Sequence, residues 1–271
     1  MNLLLLGGTG FVGTYLRNQL SKVHSIQFTS QGSHESSIVY NAENDDLSMF
    51  STNNFDIIIN NINPQGLSFS GAAKNAESLA QLVKNTSTRV IHVSSFFASH
   101  SNRLMNDYSL KKAIAEDILT EQLNYNQLTI LRFPQLYDFQ GFSRKSQGGL
   151  FYIAERIIKN EKIEYFSNAE NCIRNYMPVD LLMDIMEYVI DNKITGMHNA
   201  FFDEFNVSFL EIIKVFLNCN PDYRSENIQE GEVVGMTYDI ESGSPLFNHE
   251  IIRQSAQFYF ENFYKCLNQH K

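Results

Sequence analysis

Tyr108 and Lys112 stand four residues apart, a spacing that places two side chains one turn apart on a single helix face. Just before that helix, Ser94-Ser95 end the run Arg89-Val90-Ile91-His92-Val93, which reads as a strand. A phenol, a lysine and a serine gathered at one strand end suit hydride transfer to or from a carbonyl. That reaction must also move a proton at the carbonyl oxygen. A free phenol titrates near ~10, and an ammonium group beside it favours the phenolate and lowers that value. A serine hydroxyl on the same oxygen holds and polarises the substrate. The hydride itself belongs to a cofactor, and the protein supplies orientation and field. Counting alone gives this pair little weight, since 13 tyrosines in one chain yield roughly one such spacing by chance. Its position after the serine-tipped strand is what gives it meaning.

A hydride donor needs a place, and the opening residues supply one. Leu3-Leu4-Leu5-Leu6 is an unbroken apolar run, as in a parallel strand covered on both faces. Gly7-Gly8-Thr9-Gly10-Phe11-Val12-Gly13 follows at once. In such a turn one glycine makes the tight bend, one lets main chain approach a pyrophosphate, and Gly13 lets the next helix pack close. The anion would rest on the helix N-terminus near Phe11. Gly7, Thr9, Gly10, Phe11, Val12 and Gly13 are therefore candidate dinucleotide-binding residues. NAD-binding folds carry an acidic residue about ~20 positions on, at the end of the second strand. Here that place holds Ser30 or Gln31, and no carboxylate precedes Glu35. A missing carboxylate removes repulsion of a 2′-phosphate and tilts the expectation from NAD towards NADP, although no arginine completes the case.

Around these points strands and helices alternate. Helices are expected over Phe11–Leu20, Ser68–Lys84 and Asp107–Leu123. Strands are expected at Ser25–Thr29, Ser37–Asn41, Phe55–Asn60, Arg89–Val93 and Thr129–Phe133. That order predicts an α/β fold, a doubly wound parallel Rossmann sheet. Asn60 and the loop to Pro64 sit at a strand's carboxyl end, where ligands of such sheets collect, and Ser94 shares that edge. His92, inside its strand, reads as packed rather than catalytic. The first domain is expected over 1–160 and takes back roughly 178–200; residues 161–271 form a smaller substrate-binding lobe interleaved with it. In that half the polar stretch Asp138–Gly149 reads as a lid over a site, and helices are expected at Leu150–Lys159, Val207–Leu217 and near Ile251–Leu267.

Bulk properties narrow the partners. A formal charge of −9 argues against nucleic acid or an anionic membrane as partner. Cys172, Cys219 and Cys266 are widely spaced and in no metal-ligand pattern, so they read as reduced thiols and no metal is expected. The opening apolar run is too short for a signal peptide, and none approaches the ~20 residues of a membrane span. A soluble, cytoplasmic protein is expected.

Taken in order, these motifs resemble the extended short-chain dehydrogenases/reductases, the branch with NAD-dependent epimerases, dehydratases and reductases of nucleotide sugars. The resemblance rests on the glycine turn, Asp56-Ile57-Ile58-Ile59, Asn75, Val93-Ser94-Ser95 and Tyr108-Ser109-Leu110-Lys111-Lys112 with Glu116. Leu131-Arg132-Phe133-Pro134, Leu136-Tyr137 and Arg174-Asn175-Tyr176-Met177-Pro178-Val179-Asp180 continue it, to about residue 217. It implies that Ser95 (or Ser94) is the catalytic hydroxyl, Tyr108 the acid/base, and Lys112 the cation that lowers its pKa and holds the nicotinamide ribose. It also implies that Arg174 clamps the diphosphate of a nucleotide-diphosphate sugar, and Glu116 reads as a helix-face residue. Dimerisation through the Ser68–Lys84 and Asp107–Leu123 helices is common in the family, so a homodimer is the analogy it offers.

Departures from the family narrow the reaction. Its sugar 4,6-dehydratases carry an acidic pair after the catalytic hydroxyl, where this chain has Phe96-Phe97, and phenylalanine transfers no proton. Its fucose-pathway epimerase-reductases need a cysteine soon after the serines, and Cys172 is far off. A 4-keto reductase and a 4-epimerase with retained NAD remain, and the lean to NADP favours the reductase. Ser95-Phe96-Phe97-Ala98 also resembles a segment of the CDP-abequose and CDP-paratose synthases, which reduce a 4-keto-deoxy sugar. Phe96, Phe97, Tyr137 and Phe142 are the aromatic candidates for the sugar and base pocket. Two other readings stay open: a non-catalytic dinucleotide-binding regulator, and a carbonyl reductase of small molecules in which Arg174 is exposed or paired.

Overall fold

Four successive leucines can all be hidden only in a strand with cover on both faces, and the computed structural model of the chain gives Leu3 to Leu6 that place, each 0% exposed. The structure describes residues 1–32, 35–51, 54–138, 148–247 and 254–269. In chain order the elements are β1 (Asn2–Leu6), α1 (Phe11–Leu20), β2 (Ser25–Ser30), β3 (Ile38–Val39), β4 (Ile57–Asn60), α2 (Phe69–Val83), β5 (Arg89–Ser95), α3 (Asp107–Gln122) and β6 (Leu128–Phe133). There follow β7 (Gln135–Tyr137), α4 (Gly148–Lys159), β8 (Ile163–Tyr165), β9 (Ile173–Pro178), α5 (Val179–Asp191), β10 (Gly196–Asn199), β11 (Asn206–Ser208), α6 (Phe209–Cys219), β12 (Ile228–Glu230) and α7 (Ala256–Gln269).

The chain forms two compact units, Met1–Phe133 with Met183–Ala200, and Pro134–Leu182 with Phe201–Lys271. In the first, seven strands lie in the order β10-β6-β5-β4-β1-β2-β3, and every neighbouring pair is parallel. This is the expected doubly wound sheet. Local chemistry starts its helices where the sequence places them: the Ser68 hydroxyl accepts the Gly71 N–H ahead of α2, and the Asn106 side chain accepts the Ser109 N–H ahead of α3. Ala72, Ala76, Leu79, Ala80 and Val83 form the buried stripe of α2. Ala76, Leu79, Ala80 and Val83 share a core cluster with Leu4, Leu6, Ile58 and Leu119.

The second unit has a sheet of order β11-β9-β7, a pair β12-β8, and an aromatic interior. Tyr137 lies there with no exposure, its ring 5.9 Å from that of Phe260 and 5.3 Å from that of Phe263. Its expected place in a sugar pocket is therefore replaced by a place in the core. The Ser208–Glu211 capping box opens α6 two residues later than the sequence pattern suggests.

The first segment of the first unit ends at Phe133, short of the expected 160, and the unit resumes over Met183–Ala200. Pro134 interrupts the strand run, and the β7 that follows pairs with β9, inside the second unit. Residues 139–147, which hold most of the expected lid and Phe142, lie outside the described residues, as does the start of the helix expected near Ile251. Among the described residues no helix is long and apolar enough to cross a membrane.

Candidate active site

The first unit builds a cleft from the glycine turn. Gly7 sits at φ +78°, a conformation that disfavours any side chain. Its N–H donates to the Thr29 hydroxyl at 3.0 Å, and the Gly8 N–H donates to the Thr29 carbonyl at 2.9 Å. A Cβ on Gly13 would stand 2.1 Å from the Gly7 carbonyl oxygen, so only glycine lets α1 approach β1 this closely. Gly10 differs, because a Cβ there would meet nothing within 4 Å. It precedes α1 and offers no side-chain cap, leaving Phe11 and Val12 in a first turn whose N–H groups suit an anion. A tight bend, an open approach and a close helix together fit the pyrophosphate of a dinucleotide.

The cleft is about 310 Å³. Thr9, Gly10, Ser30 and Gln31 line it as the sequence suggests, together with Tyr40-Asn41-Ala42 and the Asn61–Asn63 loop. Asn60 lies just behind that loop, 2% exposed, its Oδ1 accepting the Ile62 N–H at 3.3 Å. It braces the wall, while Asn61 forms it and donates to the Gly7 carbonyl at 3.2 Å. The Ser30 hydroxyl donates to the Gly32 carbonyl and lies 2.7 Å from the Ser37 hydroxyl. None of the described lining residues carries a charge. Sequence reasoning missed Tyr40-Asn41-Ala42 as a wall; the one signal was their place beyond the short strand β3.

Ser95, Tyr108 and Lys112 meet at the carboxyl end of β5. Ser95 lies close enough to Tyr108 for its hydroxyl to favour the phenolate, and the Ser95 hydroxyl accepts the Phe97 N–H at 3.4 Å. Lys112 is 5% exposed, and its ammonium donates to the Val93 carbonyl at 2.7 Å and the Ile62 carbonyl at 3.3 Å. Burial brings it down from 10.5 to about 8, with Glu116 pulling the other way. Tyr108 departs from the sequence expectation: burial raises its phenol, opposed by the Ser95 hydroxyl, and no influence of Lys112 is resolved. The Lys112 ammonium is instead bonded to main-chain carbonyls of β5 and of the loop after β4.

Ser94 points elsewhere. Its hydroxyl donates at 2.5 Å to Glu116, whose carboxylate also takes Arg132 in a fork, Nε to Oε1 at 3.0 Å and Nη2 to Oε2 at 2.6 Å. Glu116, expected on a helix face, is 1% exposed and internally bonded. His92 is 2% exposed and its imidazole is held neutral, chiefly by burial. Phe96 is buried, 4.2 Å ring to ring from Phe97.

The second unit, taken by itself, holds Arg174 in the wall of a cavity of about 590 Å³ with Gln135, Tyr152, Phe166, Tyr176 and Phe209. Its guanidinium donates to the carbonyls of Ile173 at 2.8 Å and Met236 at 2.7 Å, and stacks over the Tyr238 ring at 3.9 Å. Main chain and ring orient this cation without neutralising it. Among the described residues no group of histidines, cysteines and carboxylates forms a metal site.

No protein-family model matches the sequence, and no curated protein matches it. The fold does have solved relatives. The chain is similar to dTDP-glucose 4,6-dehydratase from Bacillus anthracis in complex with NAD, with a TM-score of 0.76 at 14% identity over 100% of this chain and 97% of that one. It is similar to UDP-glucuronic acid 4-epimerase from Bacillus cereus in complex with UDP-glucuronic acid and NAD, with a TM-score of 0.74 at 16% identity over all of both chains. A hypothetical dTDP-4-dehydrorhamnose reductase from Sulfolobus tokodaii gives 0.69 at 14% identity, over 86% of this chain and 87% of that one. The chain has, over its full length, the fold of the extended short-chain dehydrogenases/reductases.

Proposed function

We propose that the chain is a member of that family and an NAD(P)H-dependent reductase of a nucleotide-linked 4-keto-6-deoxy sugar. The observation that carries this reading is Ser95 set close to Tyr108 at the end of β5, with buried Lys112 one helical turn from the tyrosine, in the unit that also holds the glycine-turn cleft. Gly7, Gly10, Phe11, Val12 and Gly13 would hold the pyrophosphate, Thr9 and Ser30 would lie along the rest of the dinucleotide, and Lys112 would face the nicotinamide ribose; Ser94, expected there from the sequence, is instead bonded to Glu116. Bound there, a reduced nicotinamide dinucleotide supplies the hydride to the carbonyl carbon. Ser95 holds the substrate oxygen, Tyr108 gives it the proton, and the product is the alcohol. Phe96 and Phe97 offer no group that could move a proton at a neighbouring carbon, which supports reduction over dehydration. Arg174, charged and oriented, is the proposed diphosphate clamp, and the aromatic rings of its cavity suit a nucleotide base.

A cleft with neither carboxylate nor cation beside Ser30 would accept NADP as well as NAD. The second reading, a 4-epimerase with retained NAD, draws support from the NAD bound in the similar solved structures. Incubation with NADPH or NADH and a panel of nucleotide-linked 4-keto-6-deoxyhexoses, followed at 340 nm, tests the first reading. Stoichiometric dinucleotide oxidation supports it. Release of tightly held NAD from the denatured protein, with sugar interconversion and no net oxidation, supports the second.

A further inference from the structure

Glu116 is a fully buried carboxylate whose bonds run to Ser94 and Arg132, both turned away from the Ser95–Tyr108 pair. It lies one helical turn beyond Lys112, and the Val93 carbonyl that accepts from the lysine is adjacent to Ser94 in β5. We propose that Glu116 is a positioning residue: held by Ser94 and Arg132, its carboxylate keeps the Lys112 ammonium protonated inside the first unit. The proposal rests on the reading of Lys112 given above.

The argument is one of elimination around a buried cation. An ammonium group without a counter-charge in such a place loses its proton, because burial penalises the charged form. The carbonyls of Val93 and Ile62 accept hydrogen bonds but bring no net charge. Of the groups packed around it, β5 presents His92, held neutral, and α3 itself presents the neutral phenol of Tyr108. The loop after β4 offers main chain and amides, and the charged residues of α2, Lys74 and Glu77, lie on its exposed face. On β6, Arg132 is a second cation and would worsen the problem if it were not forked onto the same carboxylate. Glu116 is thus the buried anion one helical turn from Lys112, forked to the partly exposed Arg132, and the Ser94 hydroxyl fixes its first oxygen.

The test compares wild type, E116Q and E116D. The pH dependence of urea-unfolding stability, without added dinucleotide, reports the lysine's proton directly, and NADP titrations at several pH values report its consequence. In wild type the stability curve inflects near pH 8. In E116Q the inflection falls by a unit or more, NADP affinity at pH 7.5 drops about tenfold, and affinity returns as the pH is lowered. E116D stays close to wild type in inflection. Should E116Q fail to fold, Ser94→Ala removes a donor from the carboxylate while keeping its charge, and the inflection should move upward. An unmoved inflection in either variant overturns the proposal. A moved inflection with no NADP binding by wild type would sustain Glu116's effect on Lys112 and reject the dinucleotide reading instead.

Discussion

Two alanine substitutions in the opening turn separate the fold from the ligand. At Gly13 the new methyl carbon would lie 2.1 Å from the Gly7 carbonyl oxygen and 2.9 Å from the Gly8 carbonyl carbon and Cα. All of these are main-chain atoms, so no side chain can swing aside, and α1 must move by about an ångström to reach ordinary contact. Overpacking of this kind costs about 1–3 kcal/mol, and replacing glycine by alanine inside a helix returns at most about 1 kcal/mol. Gly13→Ala should therefore destabilise the first unit by about 1–2 kcal/mol. At Gly10 the methyl meets nothing within 4 Å, and the backbone, at φ −71°, is open to any residue. Gly10→Ala should change stability by less than about 1 kcal/mol, the scale of losing a favourable N-cap residue. The methyl would nevertheless occupy the place where a pyrophosphate reaches the first N–H groups of α1. Loss of one charge-assisted hydrogen bond, about 1.5–3 kcal/mol, predicts a ten- to hundredfold weaker dinucleotide. Urea unfolding and fluorescence titration with NADH and NADPH measure the two effects on the same samples. If Gly10→Ala binds either dinucleotide as wild type does, the phosphates do not rest on this turn.

Three further outcomes are expected. Tyr108→Phe should abolish turnover of the 4-keto sugar while leaving NADPH affinity within about threefold, because the hydroxyl serves the proton and not the dinucleotide's phosphates. Arg174→Met should raise the nucleotide-sugar KM about ten- to a hundredfold without altering dinucleotide affinity, as expected for one charge-assisted contact to a diphosphate; equal kinetics would remove Arg174 from the site. In wild type, stability should rise between pH 8 and 10.5, since the unfolded lysine still holds its proton there while buried Lys112 has lost it. That gain, about 3 kcal/mol from one group, should vanish in Lys112→Met, and urea titrations at fixed pH will show whether it does.

What the sequence disclosed was local in origin. The leucine run, the glycine spacing and the Tyr108–Lys112 repeat each declare themselves within one strand, turn or helix, and α1 begins and ends at the expected residues. What it withheld depends on distant partners. Tyr137 looks like any site aromatic until Phe260 and Phe263, far along the chain, close over it. The strands β7, β8, β11 and β12 have three residues each, too short for alternation to show. The state of Lys112 was hidden for another reason: its hydrogen-bond partners are main-chain carbonyls, which leave no mark in a list of side chains. The partner of Glu116 was hidden because its fork with Arg132 joins a helix to a strand beyond it.

The seven-stranded sheet receives its last strand late. β10 pairs with β6 through Met197, His198 and Asn199, and the Ile194 carbonyl before it takes hydrogen bonds from Arg89 and Thr129. During vectorial synthesis the ribosome must therefore deliver residues 134–182 before the first unit can be finished. Until then β6 offers a row of unpaired amide and carbonyl groups to any passing strand. A fragment truncated at Phe133 keeps the glycine turn and the Ser95, Tyr108 and Lys112 set, yet retains that sticky border permanently, and should precipitate where the full chain does not.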